Sequence, residues 1–216
     1  MTTRRRAADV LRTLARRDLD TTARAADRSR VDDIADELGP ALAAEQLHLV
    51  YQPIVDLRTR GCERVEAFIR WRHPRLGLID PRDIVRFARA GGLLPDLAAF
   101  ALRAASRERE RWRRDGGELA LSINLAGDEL AERGAIALRN AITAASLDPR
   151  VLTFEIPAEN ALLRDPWEGA RRVAALGARI ALDDVSRADG LSRAVALEID
   201  ELKISRALIR RAVADT

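Results

Sequence analysis

The segment from residue 119 to residue 156 contains Leu119-Ala-Leu-Ser-Ile-Asn-Leu125 and, further on, Val151-Leu-Thr-Phe-Glu-Ile156. Each is a short, mostly apolar run, which is typical of a buried strand. Between them, Asp128–Ala145 repeats apolar side chains at helical spacing. A strand, a helix and a strand in this order predict a parallel pair joined by a right-handed crossover. This segment therefore predicts an α/β fold.

The same alternation continues on both sides of this segment. Prolines at the predicted helix starts and glycines after the predicted helix ends agree with it. The short connection Arg58–Gly61 predicts an antiparallel hairpin between the first two strands. The remaining predicted strands are Leu47–Leu57, Cys62–Trp71, Arg179–Val185 and Glu201–Ser205. The remaining predicted helices are Val31–Gln46, Pro81–Ala90, Pro95–Arg114, Pro166–Leu176 and a short piece near Leu191–Leu197.

Length and composition set the class of protein. With 216 residues, 47% hydrophobic and 33% charged, the chain is long and apolar enough for one domain with a core. No run of about 18 apolar residues is present, so no membrane span is expected. The single cysteine, Cys62, excludes an internal disulfide and a multi-cysteine metal cluster, and it fits a reducing compartment. With no apolar stretch after Met1–Arg6 to form a secretory signal, we expect a cytoplasmic protein.

The positive charge is concentrated at the amino terminus. The formal net charge is +3, but residues 1–30 hold nine Arg and four Asp, a net +5, and the rest of the chain is at −2. We therefore predict a basic helical arm or linker over residues 1–33 and a domain over residues 34–216. A basic arm can contact nucleic acid or an anionic membrane. This one lacks aromatic residues, so a linker is favoured and nucleic acid is not an expected partner.

Acidic and amide side chains occur at the carboxyl ends of the predicted strands. In an α/β barrel these positions line the active face. One such residue is more often a turn former or a helix cap. Several carboxylates at one edge would repel each other and raise their pKa values unless a cation compensates them. The residues concerned are Glu66, Asn124, Glu155, Asp183 and Asp184, with Lys203 on the last strand.

This residue set points to phosphoester chemistry. Oxygen donors with one amide suit Mg²⁺ or Mn²⁺ and are a poor match for zinc. Lys203 is the only lysine in a chain with 36 arginines, and it is either a chance survivor or a position that needs an ammonium. An ammonium beside a metal can hold an attacking water or stabilise phosphoryl charge. The set predicts metal-assisted hydrolysis of a phosphoester.

Six motifs occur in order along the chain. They are Tyr51–Ile54, Val65–Trp71 with His73-Pro74, Ser122–Leu125, Phe154–Ile156, Ile180–Asp184 and Leu202–Ile204. In order and spacing these motifs resemble the EAL domain, a family of bacterial phosphodiesterases that linearise cyclic di-GMP to pGpG, with many inactive relatives. The resemblance spans about residues 34–210 and implies a modified TIM barrel with an antiparallel first strand.

The resemblance also implies a role for individual residues. Lys203, with Glu66, would be catalytic, and the lysine would orient the attacking water. Gln52 and Arg70 would contact cyclic di-GMP, Arg70 through a phosphate. The implied cofactor is Mg²⁺ or Mn²⁺. Its implied ligands are Glu66, Asn124, Glu155 and Asp183, with Asp184 serving a second metal.

The sequence also departs from the family pattern. Ala158 stands where the family has a second Glu, and Ser205 stands where it has an Asp. The segment after Asp183-Asp184 lacks the two glycines and the aromatic residue of the family loop. The domain is also short for a complete barrel, which usually needs about 250 residues. We expect an incomplete barrel of about six strands whose open edges favour a protein partner or a second copy.

Three functions follow from these observations. A degenerate domain that serves as a protein-interaction module is favoured by the departures. A sensor that binds cyclic di-GMP without cleaving it is favoured by Gln52 and Arg70. An active phosphodiesterase is the alternative. We expect a non-catalytic module, and we expect His73 and Cys62 to be structural because neither has partners spaced for a triad or a metal.

Overall fold

The fold is taken from a computed structural model that describes residues 34–44, 46–130, 132–158, 166–186 and 199–214. Residues 34–43 are helical and form α1. The predicted basic arm at residues 1–33 and the predicted helix near Leu191–Leu197 lie outside the described residues. The predictions for those two segments therefore stay predictions.

Seven strands form one mixed sheet, as an α/β barrel-like fold requires. Six of them follow the order β1-β2-β4-β5-β6-β7, and β3 pairs with β2. Within the described residues no ladder joins β1 to β7, so the sheet is open at these two edges. The strands are β1 Leu47–Val55, β2 Cys62–His73, β3 Gly77–Ile79, β4 Ala120–Asn124, β5 Leu152–Pro157, β6 Arg179–Val185 and β7 Glu201–Ile204.

The first two strands form the predicted antiparallel hairpin. Its connection is an Asx turn, in which the side chain of Asp56 accepts the backbone N–H groups of Arg58 and Thr59 at 2.8 and 2.7 Å. Arg60 then takes a left-handed conformation with φ of 59°. The pairs β2–β4, β4–β5, β5–β6 and β6–β7 are parallel, as the crossover pattern predicts. Strand β3 was not predicted, because three residues are too few to show a period.

The helices occur close to their predicted positions. Asp80 caps α2 by accepting the N–H of Arg82 at 2.8 Å. Gly116 and Gly177 follow α3 and α5 with φ of 84° and 95°, the left-handed conformation that ends a helix. Within the described residues, no helix has the length and apolar character needed to cross a membrane. The helices after α1 are α2 Pro81–Ala90, α3 Leu94–Arg114, α4 Glu132–Ala144, α5 Pro166–Ala174 and α6 Arg206–Ala214.

One helix prediction was wrong in its details. The segment Asp128–Ala145 is not one helix but a 3-10 turn at Gly127–Leu130 followed by α4. The turn brings the carbonyl of Glu129 so close to Gly134 that a Cβ atom at that position would clash with it. Glycine at this position therefore permits the break.

The core lies on the outer face of the sheet, under the helices. Buried apolar side chains of β2, β4, β5 and β6 pack there against α3, α4 and α5. A second cluster joins α1, α2 and the start of α3 to the β1–β2–β3 end of the sheet. The opposite, inner face carries polar side chains. Arg64 on β2 reaches Thr153 on β5 and Glu201 on β7 at 3.1 and 2.7 Å, so the sheet curls like part of a barrel.

Candidate functional site

Five of the predicted site residues meet on the inner face of the curled sheet. The Nζ atom of Lys203 lies 2.7 Å from Glu66 Oε2, 2.5 Å from Glu155 Oε2 and 3.6 Å from Asp183 Oδ1. Asn124 donates an N–H of its amide to Glu66 Oε1 at 2.9 Å. These residues, from β2, β4, β5, β6 and β7, are called the Lys203 cluster below. These polar groups converge as expected, but Glu66 lies inside β2 (Cys62–His73) and not at its carboxyl end.

The strand registers explain why the cluster forms. Asn124 and Glu155 are register partners on neighbouring parallel strands, so their side chains leave the sheet side by side. Glu66 and Lys203 lie on strands that are not neighbours in the sheet. They meet because the sheet is curled. The alternation of side chains along each strand thus puts these residues on the same face of the sheet. The curvature of the sheet then brings them within contact distance.

A bulge in β6 separates the two adjacent aspartates. Leu182 pairs with Leu202 and Val185 pairs with Ile204, so β6 holds one more residue than β7 over this step. Asp184 has φ of 55°, an uncommon value that Asp tolerates better than most residues. Asp183 is directed towards Lys203, whereas Asp184 is exposed. Of the two predicted ligands, the structure brings only Asp183 into the cluster.

The electrostatics of the cluster follow from burial and from its one cation. The side chain of Glu155 is only 1% exposed, and burial raises its pKa to about 7 despite the hydrogen bond from Lys203. Burial also acts to raise the pKa of Glu66, but hydrogen bonds from Lys203 and Asn124 outweigh it and the pKa is lowered. Burial acts to lower the pKa of Lys203, but the two glutamates outweigh it and the pKa is raised. The ammonium therefore stays charged and is shared between the two glutamates.

The donor atoms of the cluster match Mg²⁺ or Mn²⁺ in type, but their arrangement does not match an ion site. Glu155 Oε1 is buried and has no hydrogen-bond partner among the described residues, and such an orphaned carboxylate oxygen is a natural metal ligand. However, within the described part of the chain no three His, Cys, Asp or Glu side chains are grouped so that they could hold one ion. The donor types fit a hard divalent cation, but in this arrangement the ammonium of Lys203 supplies the positive charge.

The two predicted ligand-contacting residues lie on the same face. Gln52 is exposed and is directly opposite Glu66 in the antiparallel register, so the two side chains share the inner face. Arg70 follows Glu66 by four residues on β2, which also places it on this face. Its guanidinium lies 5.6 Å from the ring centre of Phe68 and donates to the Ile69 carbonyl at 2.9 Å. Both residues thus flank the cluster rather than belong to it.

A second set of polar contacts on the inner face was missed at the level of sequence. Arg64 donates to both carboxylate oxygens of Glu201 at 2.7 Å and to Thr153 Oγ1 at 3.1 Å. These three residues are called the Arg64 layer below. Arg64 precedes Glu66 by two residues and Glu201 precedes Lys203 by two, which puts them on the same face. This two-residue spacing is the sequence pattern that could have predicted the contact.

The structure also accounts for two of the departures from the family pattern. Ala158 packs against Leu182 and Val185 in a small apolar cluster. Ser205 is buried, and its hydroxyl accepts the N–H of Leu208 at 3.1 Å, which caps α6. The altered loop after β6 lies largely outside the described residues. Apolar packing and a helix cap therefore stand where the family has carboxylates.

His73 and Cys62 have the surroundings of structural residues. The His73 ring is fully buried, and its Nε2 atom lies 2.8 Å from Glu37 on α1. Its Nδ1 atom accepts the backbone N–H groups of Arg75 and Leu76, both at 3.2 Å. Cys62 is exposed at the start of β2, and its thiol donates to the carbonyl of Arg64 at 3.4 Å. His73 thus ties α1 to the β2–β3 turn.

Comparison with known proteins gives consistent matches. The model of the EAL domain family matches residues 35–216. The cyclic di-GMP phosphodiesterase PA2567 of Pseudomonas aeruginosa is 34% identical over 163 residues, which cover 73% of this chain and 27% of that protein. The bifunctional diguanylate cyclase/cyclic di-GMP phosphodiesterase MucR of the same organism is 32% identical over 187 residues, 83% of this chain and 27% of that protein. The chain therefore spans about a quarter of the length of these relatives.

Solved structures agree with these matches. The MucR phosphodiesterase in complex with cyclic di-GMP superposes with a TM-score of 0.70 at 31% identity, covering 82% of this chain and 74% of that one. The EAL domain of Xanthomonas citri FimX in complex with cyclic di-GMP gives 0.69 at 19% identity, covering 84% of this chain and 72% of that one. At that identity the likeness concerns the fold alone.

Proposed function

The chain belongs to the EAL domain family, and we propose that it is a non-catalytic module of cyclic di-GMP signalling that senses the dinucleotide. EAL domains are metal-dependent phosphodiesterases that generally use Mg²⁺ or Mn²⁺. One observation carries the proposal: the ammonium of Lys203 lies at 2.7 and 2.5 Å from the two glutamates that a catalytic ion would need. A lysine and a divalent ion compete for the same oxygens, so this arrangement disfavours metal loading.

Dinucleotide binding is assigned to the residues that flank the Lys203 cluster. Cyclic di-GMP carries two phosphodiester anions, and an arginine can hold a phosphate through two parallel hydrogen bonds. Arg70 is half-buried against Phe68, which limits the freedom that its side chain loses on binding. Gln52 adds an exposed amide on the same face. Neither contact requires a metal ion or a water nucleophile.

Signal output is assigned to a protein partner or a second copy at the β7 edge. Among the described residues β7 has a strand neighbour on one side only, and an unpaired edge can accept another strand. Leu202 and Ile204 on this strand are 42% and 47% exposed. The cytoplasmic location expected from the lone cysteine belongs to the same proposal.

An active phosphodiesterase is the second candidate, and it is favoured by the orphaned Oε1 atom of Glu155 and the raised pKa of its carboxyl group. In this candidate an Mg²⁺ or Mn²⁺ ion, when bound, supplies electrophilic stabilisation of the phosphoryl oxygens. Lys203 then leaves the carboxylates and orients the attacking water. The residues that would hold the ions are Glu66, Asn124, Glu155 and Asp183, with Asp184 for a second ion.

Calorimetry followed by product analysis separates the candidates. The full chain is titrated with cyclic di-GMP in Mg²⁺ and, in parallel, in Ca²⁺, and the Mg²⁺ sample is then analysed for pGpG by chromatography. Binding in both ions with no pGpG supports the sensor. Formation of pGpG overturns the non-catalytic proposal in favour of the enzyme. Absence of binding refutes sensing.

A pair of variants tests the assigned contacts. Arg70→Ala is expected to weaken cyclic di-GMP binding by about tenfold or more, since it removes a charge-assisted hydrogen bond to phosphate. Arg103→Ala removes an exposed arginine of α3, on the helix side of the sheet, and is expected to bind like the parent chain. Equal affinity for the two variants would remove Arg70 from the site.

A further inference from the structure

The Arg64 layer lies one step below the Lys203 cluster and shares strands β2, β5 and β7 with it. Arg64 Nη2 donates to Oε1 and Oε2 of Glu201, both at 2.7 Å, and Nη1 donates to Thr153 at 3.1 Å. The side chains of Arg64 and Glu201 are only 13% and 25% exposed. A planar guanidinium whose two terminal nitrogens are held by different strands fixes both distance and angle. It therefore constrains how β7 lies across from β2.

The signs of the charges alternate along both strands. On β2 the cation Arg64 comes before the anion Glu66, and on β7 the anion Glu201 comes before the cation Lys203. A slip of one residue would move every side chain to the other face, so the smallest slip that keeps the face is two residues. A slip of two brings either Glu201 to Glu66 or Lys203 to Arg64. Both juxtapose like charges, which disfavours the two registers nearest to the observed one that keep the face.

Strand β7 has a ladder on one side only. It pairs in parallel with β6, and backbone hydrogen bonds of 3.0 Å continue the pairing at both ends of the strand. The strand is four residues long, and the bulge at Asp183-Asp184 interrupts its register with β6. Leu202 and Ile204, which alternate with the inner charges, are exposed by 42% and 47% and contribute little burial. Within the described residues its second edge carries no strand. The inner-face charges are therefore the contacts that tie β7 to β2 and β5.

We propose that Arg64 and Glu201 are positioning residues that hold β7 in register, so that the ammonium of Lys203 lies between Glu66 and Glu155. They act through Lys203 and do not touch a ligand. The inference deepens the proposed function, since it concerns the same site, but it holds whether or not cyclic di-GMP binds. The proposal predicts that loss of the Arg64–Glu201 pair displaces Lys203 while the domain stays folded.

The single lysine makes this position measurable. The full chain is treated with a trace of acetic anhydride, and mass spectrometry gives the acetylation rate of Lys203 relative to the α-amino group. An ammonium held between two carboxylates reacts slowly, because they shield it from the reagent. Arg64→Gln and Glu201→Gln are each expected to raise the relative rate by about tenfold, because the lysine is then released from this fixed position. Deuterium exchange of the β7 amides is expected to rise in parallel.

Arg109→Gln is the matched control. Arg109 is 12% exposed, close to the value for Arg64, and donates to the Leu119 carbonyl at 3.1 Å, but it belongs to α3 on the helix side. It should change the stability of the domain without changing the acetylation of Lys203. If Arg64→Gln and Glu201→Gln fold, as circular dichroism would show, and acetylate at the parent rate, the proposal is overturned. A rise of equal size in Arg109→Gln would overturn it too.

A milder substitution covers the case in which the glutamine variants unfold. Arg64→Lys keeps the charge but cannot donate to Glu201 and Thr153 through two terminal nitrogens of one planar group. The acetylation rate, read from the peptide that contains Lys203, is expected to lie between those of the parent and a denatured sample, and a parent-like rate counts against the proposal. If these changes occur in a chain that binds no cyclic di-GMP, the positioning role stands and the sensor proposal alone fails.

Discussion

The Arg64 layer and the Lys203 cluster share strands β2, β5 and β7, and both pair a cation with carboxylates, yet their charges are arranged differently. In the Arg64 layer the carboxylate is compensated: two hydrogen bonds of 2.7 Å join it to Arg64, and Arg179 lies 3.9 Å from it. In the Lys203 cluster one cation faces three carboxylates, and among the described residues Glu155 Oε1 has no hydrogen-bond partner. A compensated ion pair holds strands together. Surplus negative charge beside an orphaned acceptor leaves capacity for a ligand.

The two cations match this division. Arginine is planar, always charged and suited to a fixed bidentate contact, which is its role opposite Glu201. Lysine is a point charge with rotatable donors, so Lys203 can serve three carboxylates at unequal distances and can also leave them. The Arg64 layer thus has a fixed geometry, whereas the cation of the Lys203 cluster can change its position.

The largest effect is expected from Lys203→Met, which removes the only cation of the cluster. Breaking a buried ion pair leaves a carboxylate uncompensated and costs about 3–5 kcal/mol of unfolding free energy. The loss should be smaller at pH 6 than at pH 8, because the pKa of Glu155 is raised to about 7 and its protonation relieves the charge. Urea unfolding at the two pH values measures this, with Arg103→Met as the exposed control. A loss below about 1 kcal/mol at pH 8 would contradict the cluster as described.

A smaller, pH-dependent effect is expected from Glu155→Gln. The pKa of Glu155 is raised in the folded state, so its contribution to stability is fully present below about pH 4.5 and is lost as pH rises through about 7. The free energy of unfolding of Glu155→Gln lacks this pH dependence. Relative to that of the parent chain, it should rise by on the order of 2–3 kcal/mol across that pH window. Thermal or urea unfolding between pH 4.5 and 8 measures the difference. Parallel curves for the two proteins would show that Glu155 titrates normally.

The smallest effect is expected at an exposed ion pair that belongs to neither set. Arg113 and Glu110 are 2.9 Å apart on the surface of α3, with half of each side chain exposed. Such pairs contribute about 0–0.5 kcal/mol, so Arg113→Ala should leave the urea midpoint nearly unchanged. Adding 0.5 M NaCl should remove whatever contribution remains. A loss of unfolding free energy as large as that of Lys203→Met would mean that buried and exposed ion pairs contribute equally to stability.

Much of this architecture was predictable from the sequence. The alternation of strands and helices predicted the parallel core, and the short Arg58–Gly61 connection predicted the hairpin. Strand ends predicted which polar side chains would share an edge, and Glu66, Asn124, Glu155, Asp183 and Lys203 do meet. These features depend on local periodicity and on short-range connections.

What the sequence did not predict depends on contacts between distant segments. Strand β3 is three residues long and exists because it pairs with the end of β2. The exposure of Asp184 comes from a bulge that only the register of β6 against β7 reveals. Likewise, Arg64 reads as an ordinary solvated arginine until curvature brings Glu201 to it. Pairing and curvature are tertiary properties, and residue spacing within one segment does not encode them.

Both charge sets on the inner face join residues that are far apart in the chain. The contacts Arg64–Glu201 and Glu66–Lys203 each span 137 residues. Closing so long a loop is entropically costly, so contacts of this kind form late and slow the folding of a domain. The hairpin and the β2–β4–β5 core can assemble first, with the carboxylates still apart. We therefore expect the Lys203 cluster to form after these segments have paired, so that a partly folded chain lacks it.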